Sequence, residues 1–286
     1  MLDPQIISQA FIDSCEGELL APKPGNVHIF AEGHGMTAQD FISSAAAAAP
    51  FIAQPGLHVG QRILGAMQAS FAAVTQNTNL GIILLCAPLA HAALNAQGPN
   101  LRIEARRQLH ALDQQDAADA YQAISLAAPA GLGTSKDHDV RGSARTTLRG
   151  AMEVASPRDR IAWQYIHDFD DIFNLGLPAL RAARQRGQDA PWSTLTLYLT
   201  FLRAFPDSHV ARKYGPAAAD ALYRDAQIKY IEINKLDRSE AFAAALSWDH
   251  ALKQQRLNPG TSADLTVASL FADRLAQTLA NAPKNG

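Results

Sequence analysis

Five polar segments of this chain carry residue types suited to handling a nucleotide polyphosphate. In the first, Glu18 precedes Pro22-Lys23-Pro24-Gly25-Asn26. The prolines fix the backbone around one long cation, and Gly25 lets a phosphate oxygen come close to the main chain. His34 follows in the turn Gly33-His34-Gly35-Met36. The second segment, Gln76-Asn77-Thr78-Asn79-Leu80-Gly81, leads into the most apolar stretch of the chain. Helix N-termini present unpaired N–H groups to anions; Asn77 and Thr78 add neutral donors there, and Asn79 reads as the cap. The third, residues 128–142, holds Asp137-His138-Asp139 and Arg141. Its paired carboxylates offer hard oxygens to a divalent cation, and its arginine offers a fork to phosphate. In the fourth, Asp207-Ser208-His209 precedes Arg212-Lys213, so His209, Arg212 and Lys213 share one helix face. The fifth is Asn258-Pro259-Gly260-Thr261-Ser262-Ala263-Asp264, a turn followed by a capped helix. Beside the others, its Asn258 and Asp264 become ligand or metal contacts. Each segment also has a plainer reading as a solvated charge, an ordinary cap or a flexible loop. One shared ligand accounts for all five, which predicts that they gather at one end of the fold.

The elements that must position them are helices almost throughout. Apolar residues recur at helical spacing over 4–20, 37–49 and 60–74, with Pro50 expected to end the second. Residues 80–94 read as a helix buried on every side, too short to span a bilayer and interrupted by Pro88 and His91. Further helices are expected at 101–112, 116–127, 144–154, 158–184 (breaking near 176–178), 193–205, 208–234, 238–254 and 263–280. The alternation Thr194-Leu195-Thr196-Leu197-Tyr198-Leu199-Thr200 is the serious strand candidate. With no sheet to join, it is read as a Thr-rich helix. No fixed-period repeat or linker is evident. The expected fold is all-α, one multi-helix domain over 1–286.

Composition narrows the function. Apolar residues make up 48% and charged residues 18%, which supports a packed core rather than a disordered chain. A formal charge of -2 gives no reason to expect a nucleic-acid partner. Cys15 and Cys86 cannot build a disulfide framework. The opening residues lack the basic-then-apolar order of a secretory signal. A cytoplasmic protein with small-molecule substrates, no membrane span and room for oligomerisation is the expectation.

Together the motifs resemble those of the triphosphoribosyl-dephospho-coenzyme A synthase family (ATP:dephospho-CoA triphosphoribosyltransferase). The resemblance lies in Glu18 with Pro22-Lys23-Pro24-Gly25, in His34 and Met36 before Phe41-Ile42-Ser43-Ser44-Ala45, in Asn77-Thr78, in Asp207 at the head of a basic helix, and in Asn258 to Asp264. It implies an all-α fold and transfer of a triphosphoribosyl group from ATP to the 2'-hydroxyl of 3'-dephospho-CoA, with release of adenine. Members of the family make the precursor of a lyase prosthetic group. Such chemistry needs cations or Mg2+ on the triphosphate, a carboxylate near C1' and a proton donor for adenine. The expected phosphate contacts are Lys23, Gly25, Asn77, Thr78, Asn79, Arg212, Lys213 and Asn258. Glu18 or Asp207 is expected to support the sugar cation, His34 or His209 to supply the proton, and Asp207 with Asp264 to hold the metal. Lys23→Ala is accordingly expected to weaken ATP binding about tenfold and leave the melting temperature nearly unchanged. The chain departs from the family where members read Asn-Thr-His-Lys-Gly and it has Asn79-Leu80, and where they read His-x-Asp-Met and it has His34-Gly35-Met36. These departures resemble a divergent branch found among one-carbon metabolism proteins of methylotrophs. They leave two alternatives open: transfer onto a pterin- or furan-type one-carbon carrier precursor, or a non-catalytic nucleotide-binding protein.

Overall fold

The computed structural model describes residues 2–129 and 139–281. Asp137 and His138 therefore lie outside the described residues. Those described form fourteen α-helices and one π-helical turn. In order these are α1 (Pro4–Leu19), α2 (Ala38–Ala53), α3 (Val59–Val74), α4 (Leu80–Leu94), α5 (Leu101–Ala111), α6 (Gln114–Ala127), α7 (Leu148–Ala155) and α8 (Arg160–Ile166). The π turn (Asp171–Gly176) follows, then α9 (Leu177–Gln185), α10 (Ala190–Leu202), α11 (Ser208–Tyr214), α12 (Pro216–Ile233), α13 (Arg238–Gln254) and α14 (Gly260–Asn281). Among these residues no strand occurs, only two isolated bridges, His28 with Ala31 and Gly33 with Met36. The all-α expectation holds. No helix among them is long and apolar enough to cross a membrane.

Burial explains the arrangement. All of α4 except Gly81 and His91 is buried, and it packs against α1, α2, α3, α5, α6, α8 and α14. α14 is the other spine, touching α1, α4, α5 and α8 through α11. A smaller apolar cluster joins α10, α12 and α13 through Tyr198, Leu222, Ala245 and Trp248. α10 is the wall between the two clusters, with every residue from Ser193 to Leu202 buried. That is why the alternating Thr-Leu run is a helix: all its faces are covered. Its hydroxyls find partners locally, Thr196 Oγ1 donating to Gln188 Oε1 at 2.7 Å and Thr200 Oγ1 to the Thr196 carbonyl at 2.8 Å.

Several expected boundaries move. α2 runs through Pro50 to Ala53; near a helix end, the one backbone bond that proline removes is tolerated. The expected 158–184 helix breaks at 167–170, where Asp168 and Phe169 take left-handed backbone, before the π turn. The 208–234 helix divides at Gly215 (φ 89°), with Pro216 opening the next helix. α7 starts at Leu148 because Thr147 Oγ1 accepts from the Gly150 N–H at 3.1 Å. α10 starts at Ala190 through the corresponding cap by Asp189.

Candidate functional site

The five polar segments converge. A cleft of about 1100 Å³ is lined by Glu18 and His34 from the first, Asn77 and Thr78 from the second, and Asp139 from the third. His209, Arg212 and Lys213 come from the fourth, and Asn258 and Asp264 from the fifth. α4 and α14 both point their N-termini into it through Leu80 and Gly260. Their partial positive charge favours an anionic ligand.

Local chemistry locks the segments together. Gly25 takes φ +81°, and a Cβ there would lie 2.8 Å from Pro259 Cδ and 2.9 Å from the Leu257 carbonyl. Its N–H donates to Asp249 Oδ1 at 2.8 Å. The close approach read for a phosphate at Gly25 is thus filled by the Asn258-Pro259 turn. Asn26 Nδ2 donates to Asn258 Oδ1 at 2.8 Å, and Tyr198 Oη donates to the Pro24 carbonyl at 2.7 Å. Both Asn26 and Asn258 still line the cleft.

Lys23 does not reach the cleft. It is 0% exposed, and its ammonium pairs with Glu18 Oε1 at 2.9 Å and donates to Asn26 Oδ1 and the Val27 carbonyl. Three donors meet three acceptors, so nothing remains for a phosphate. The expectation that Lys23 binds phosphate directly is corrected: it fixes the Glu18 carboxylate at the cleft wall. Burial pushes the Glu18 carboxyl up from its ordinary range, and the Lys23 charge pulls it back.

Asp207 is spent in the same way. Its Oδ1 accepts from the His209 and Val210 N–H groups at 2.9 and 3.1 Å, and its Oδ2 from the Ser262 N–H and Oγ, both at 2.9 Å. One buried carboxylate thereby caps α11 and ties the first turn of α14 to it. It has no lone pair left for a metal or a sugar cation, so both of its expected roles are corrected. Asn79 stands at the cap position of α4, but its side chain accepts from Ser70 Oγ at 2.7 Å, behind the cleft wall. The capping is done by Asn77, whose Oδ1 accepts from the Leu80 N–H at 3.2 Å. Thr78 is held by Ser44, oxygen to oxygen at 2.6 Å. Of the two departures at Asn79-Leu80, Leu80 alone faces the cleft.

Asp264 is the carboxyl left over. It lines the cleft and has no hydrogen bond or ion pair among the described residues. Its Oδ2 lies where a Cβ on Gly81 would be, 2.0 Å away, so the glycine in the first turn of α4 makes room for a side chain. Burial, with the charges of Asp207 and Glu18 added, holds its pKa well above the ordinary carboxylate value. His209 packs its ring on Gly260. Burial, reinforced by Arg212, Lys213 and His34, pushes its pKa down to about 4. It is a neutral imidazole near neutral pH, and no ready acid. His34, in left-handed backbone at φ 59°, sets Nε2 2.9 Å from the Gly25 carbonyl, and burial lowers its pKa too.

One part of the wall was missed in the sequence. Asp159 caps α8 through Oδ1, accepting from Ile161 and Ala162, and pairs through Oδ2 with Arg212 at 2.9 Å. Arg160 is clamped between the rings of Trp163 (3.7 Å) and Phe205 (4.3 Å) and pairs with Asp171 at 2.7 Å. The Asp-Arg start of a helix was the available signal. Among the described residues no cluster of three or more His, Cys, Asp or Glu could hold a metal.

A family model described as ATP:dephospho-CoA triphosphoribosyl transferase (CitG) matches residues 4–282. The 2-(5''-triphosphoribosyl)-3'-dephosphocoenzyme-A synthase of Klebsiella pneumoniae is 29% identical over 165 residues. That alignment takes in 57% of this chain and 54% of the relative, so it spans about half of the relative's length. A crystal structure from Archaeoglobus fulgidus, named as a proposed triphosphoribosyl-dephospho-CoA synthase, superposes with a TM-score of 0.64 and 24% identity. It covers 81% of this chain and 96% of its own, a likeness of fold.

Proposed function

The chain belongs to the ATP:dephospho-CoA triphosphoribosyl transferase family, and from that premise we propose that it moves the triphosphoribosyl group of ATP onto the 2'-hydroxyl of 3'-dephospho-CoA and releases adenine. The observation that carries this reading is that Glu18 and Asp264 line one cleft, Glu18 paired with Lys23 and Asp264 without a counter-ion among the described residues. In the reaction the C1'–N9 bond of ATP breaks and adenine leaves with the electron pair, gaining a proton. A bond forms between C1' and the acceptor oxygen, whose proton is lost. Two carboxyl groups in unlike surroundings, one beside an ammonium and one beside like charges, suit such a proton exchange.

Glu18, held at 2.9 Å from the Lys23 nitrogen, is the carboxyl whose charge has a partner against the cost of burial. It stabilises positive charge at C1' and accepts the hydroxyl proton. Asp264, raised by burial and by two neighbouring negative charges, is the group to deliver a proton to adenine. His209, neutral, holds substrate through its ring rather than acting as the acid. The N-termini of α4 and α14 and the side chains of Arg212 and Lys213 take the phosphates. Mg2+ enters as part of Mg-ATP, coordinated through phosphate oxygens. The reading thus replaces the expected metal role of Asp264 with proton donation. A soluble, cytoplasmic setting fits these substrates.

The test is adenine release. Purified protein with Mg-ATP and 3'-dephospho-CoA should yield free adenine and a triphosphoribosylated product by chromatography and mass spectrometry, and Asp264→Asn should slow it by about a hundredfold or more while leaving a measurable residual rate. Adenine formed only with a different acceptor would move the acceptor assignment, to which Leu80 at the cleft wall is the relevant departure. ATP binding without adenine from any acceptor would leave a nucleotide-binding protein.

A further inference from the structure

A second cavity of about 410 Å³ adjoins the cleft, and His34 and Lys213 line both. Its other lining residues are Glu32, Gly33, Lys253 and Arg256. Three cations thus face one carboxylate in a space that opens off the nucleotide cleft. We propose that this cavity binds an oligophosphate chain whose nucleoside end lies in the cleft. The proposal rests on the nucleotide reading above and extends it from Lys213 to a second cavity and to Lys253 and Arg256, which that reading does not contain.

One of the three cations, Lys253, is fixed by its partners. Lys253 donates to the Ala31 carbonyl at 3.0 Å and pairs with Asp249 at 3.0 Å, which leaves one N–H of its ammonium for a ligand. Its stem lies across Gly33, where a Cβ would sit 2.9 Å from Lys253 Cε. Asp249 in turn holds the Gly25 N–H, so this cation is braced by the loop that carries Lys23, the partner of Glu18. Lys213 and Arg256 form no ion pair among the described residues.

Arg256 closes α13 in left-handed backbone at φ 59°. Its N–H donates to the Lys253 carbonyl at 2.9 Å and the following Leu257 N–H to Leu252 at 3.0 Å, the helix-ending turn in which glycine is favoured. His34, across the cavity, is also non-glycine in left-handed backbone. Two strained positions facing one small space put side chains where local conformation alone would favour glycine. A guanidinium and two ammoniums lining one cavity match the serial charges of a di- or triphosphate. Two sources share that chemistry, the triphosphate of the donor nucleotide and the diphosphate of the acceptor.

Arg256→Gly separates ligand binding from folding, because glycine relieves the left-handed backbone and keeps the Arg256 carbonyl that accepts from Tyr214 Oη at 2.8 Å. By calorimetry with inorganic tripolyphosphate, the wild-type chain should bind. Arg256→Gly should bind at least tenfold more weakly without melting lower, and Arg256→Lys should recover part of the loss. Arg224→Ala, an exposed charge on α12 lining neither cavity, should bind as wild type. Equal affinity in wild type and Arg256→Gly overturns the site, as does an equal loss in Arg224→Ala, which would mean a general field. If Arg256→Gly weakens ATP but not AMP, the donor triphosphate occupies the cavity; if it weakens dephospho-CoA instead, the acceptor diphosphate does. Tripolyphosphate binding that depends on Arg256 in a protein that releases no adenine would keep this site and retire the transferase reading.

Discussion

Gly81→Ala is the sharpest probe of the carboxyl pair, because the backbone position is benign and the side-chain clash is not. Gly81 lies in the first turn of α4 with ordinary helical conformation. Alanine there should gain about 0.5–1 kcal/mol in helix propensity. Against that, its Cβ would meet Asp264 Oδ2 at 2.0 Å and Ile161 Cδ1 at 2.7 Å. Carbon and oxygen settle at about 3.3 Å or more, so the carboxyl must retreat by roughly 1.3 Å. Ile161, at the edge of α8, repacks at about 1–3 kcal/mol. The helix gain offsets part of that cost, leaving a net loss of roughly 0–2.5 kcal/mol, and the melting temperature should fall by only a few degrees. Catalysis fares worse, since a misplacement of about 1 Å costs on the order of a hundredfold. The assay pairs adenine release under saturating Mg-ATP with a thermal melt of the same preparation. A double-mutant cycle completes it: Gly81→Ala in an Asp264→Asn background should cost little more than Asp264→Asn alone, because both remove one group. Undiminished adenine release by Gly81→Ala, or losses that multiply in the double variant, would refute the role given to Asp264.

Two further expectations follow from buried charge. Lys23→Met strands Glu18 without its counter-ion and should destabilise by about 3–5 kcal/mol; a melting temperature within a degree or two of wild type would contradict the buried pair. This reverses the sequence-based expectation for Lys23, which put the effect in ATP affinity. His209 and His91 both carry pKa values pushed down to about 4, chiefly by burial. Unfolded histidine binds its proton near pH 6.5, so the native state holds fewer protons between about 6.5 and 4, and stability falls as pH drops through that window. Each contributes at most about 1.4 kcal/mol per pH unit, less for its partial exposure. Urea melts at pH 7 and 4.5 should show that loss, and His209→Gln should show a smaller one; an identical loss in both proteins would refute the assignment.

The helices were legible where periodicity was strong and caps were clean. Residues 238–254 matched α13 to the residue, because the capping box at Asp237 and Glu240 fixes its start. The convergence of five polar segments was also legible, since no local need explained them all. The state of their charges was not. Lys23 looks the same in sequence whether it faces a ligand or is buried on its own neighbours Glu18, Asn26 and Val27, and Asp207 and Gly25 are consumed by partners far along the chain. Asp207 is engaged by Ser262, and Gly25 by Asp249. Gly81 was read as room for a ligand or another backbone, and the room belongs to the Asp264 side chain. Spacing rules see three or four residues ahead and cannot see these pairings. The helix break at 167–170 was missed for a related reason, as Asp168 and Phe169 adopt left-handed backbone that their residue types do not advertise.

The burial of α4 has a consequence for synthesis of the protein in a cell. A helix with almost no exposed face has no soluble form of its own, and one of its walls is α14, the last helix of the described chain. About 170 residues separate the end of α4 at Leu94 from the start of α14 at Gly260. At about 5–20 residues per second, a ribosome takes roughly 8–34 s to cover that distance. Through that interval the growing polypeptide holds an incompletely covered apolar segment, the kind of surface to which holdase chaperones bind. Nascent chains stalled before Gly260 are therefore the species most dependent on such protection, and slow translation of the C-terminal third lengthens the hazard.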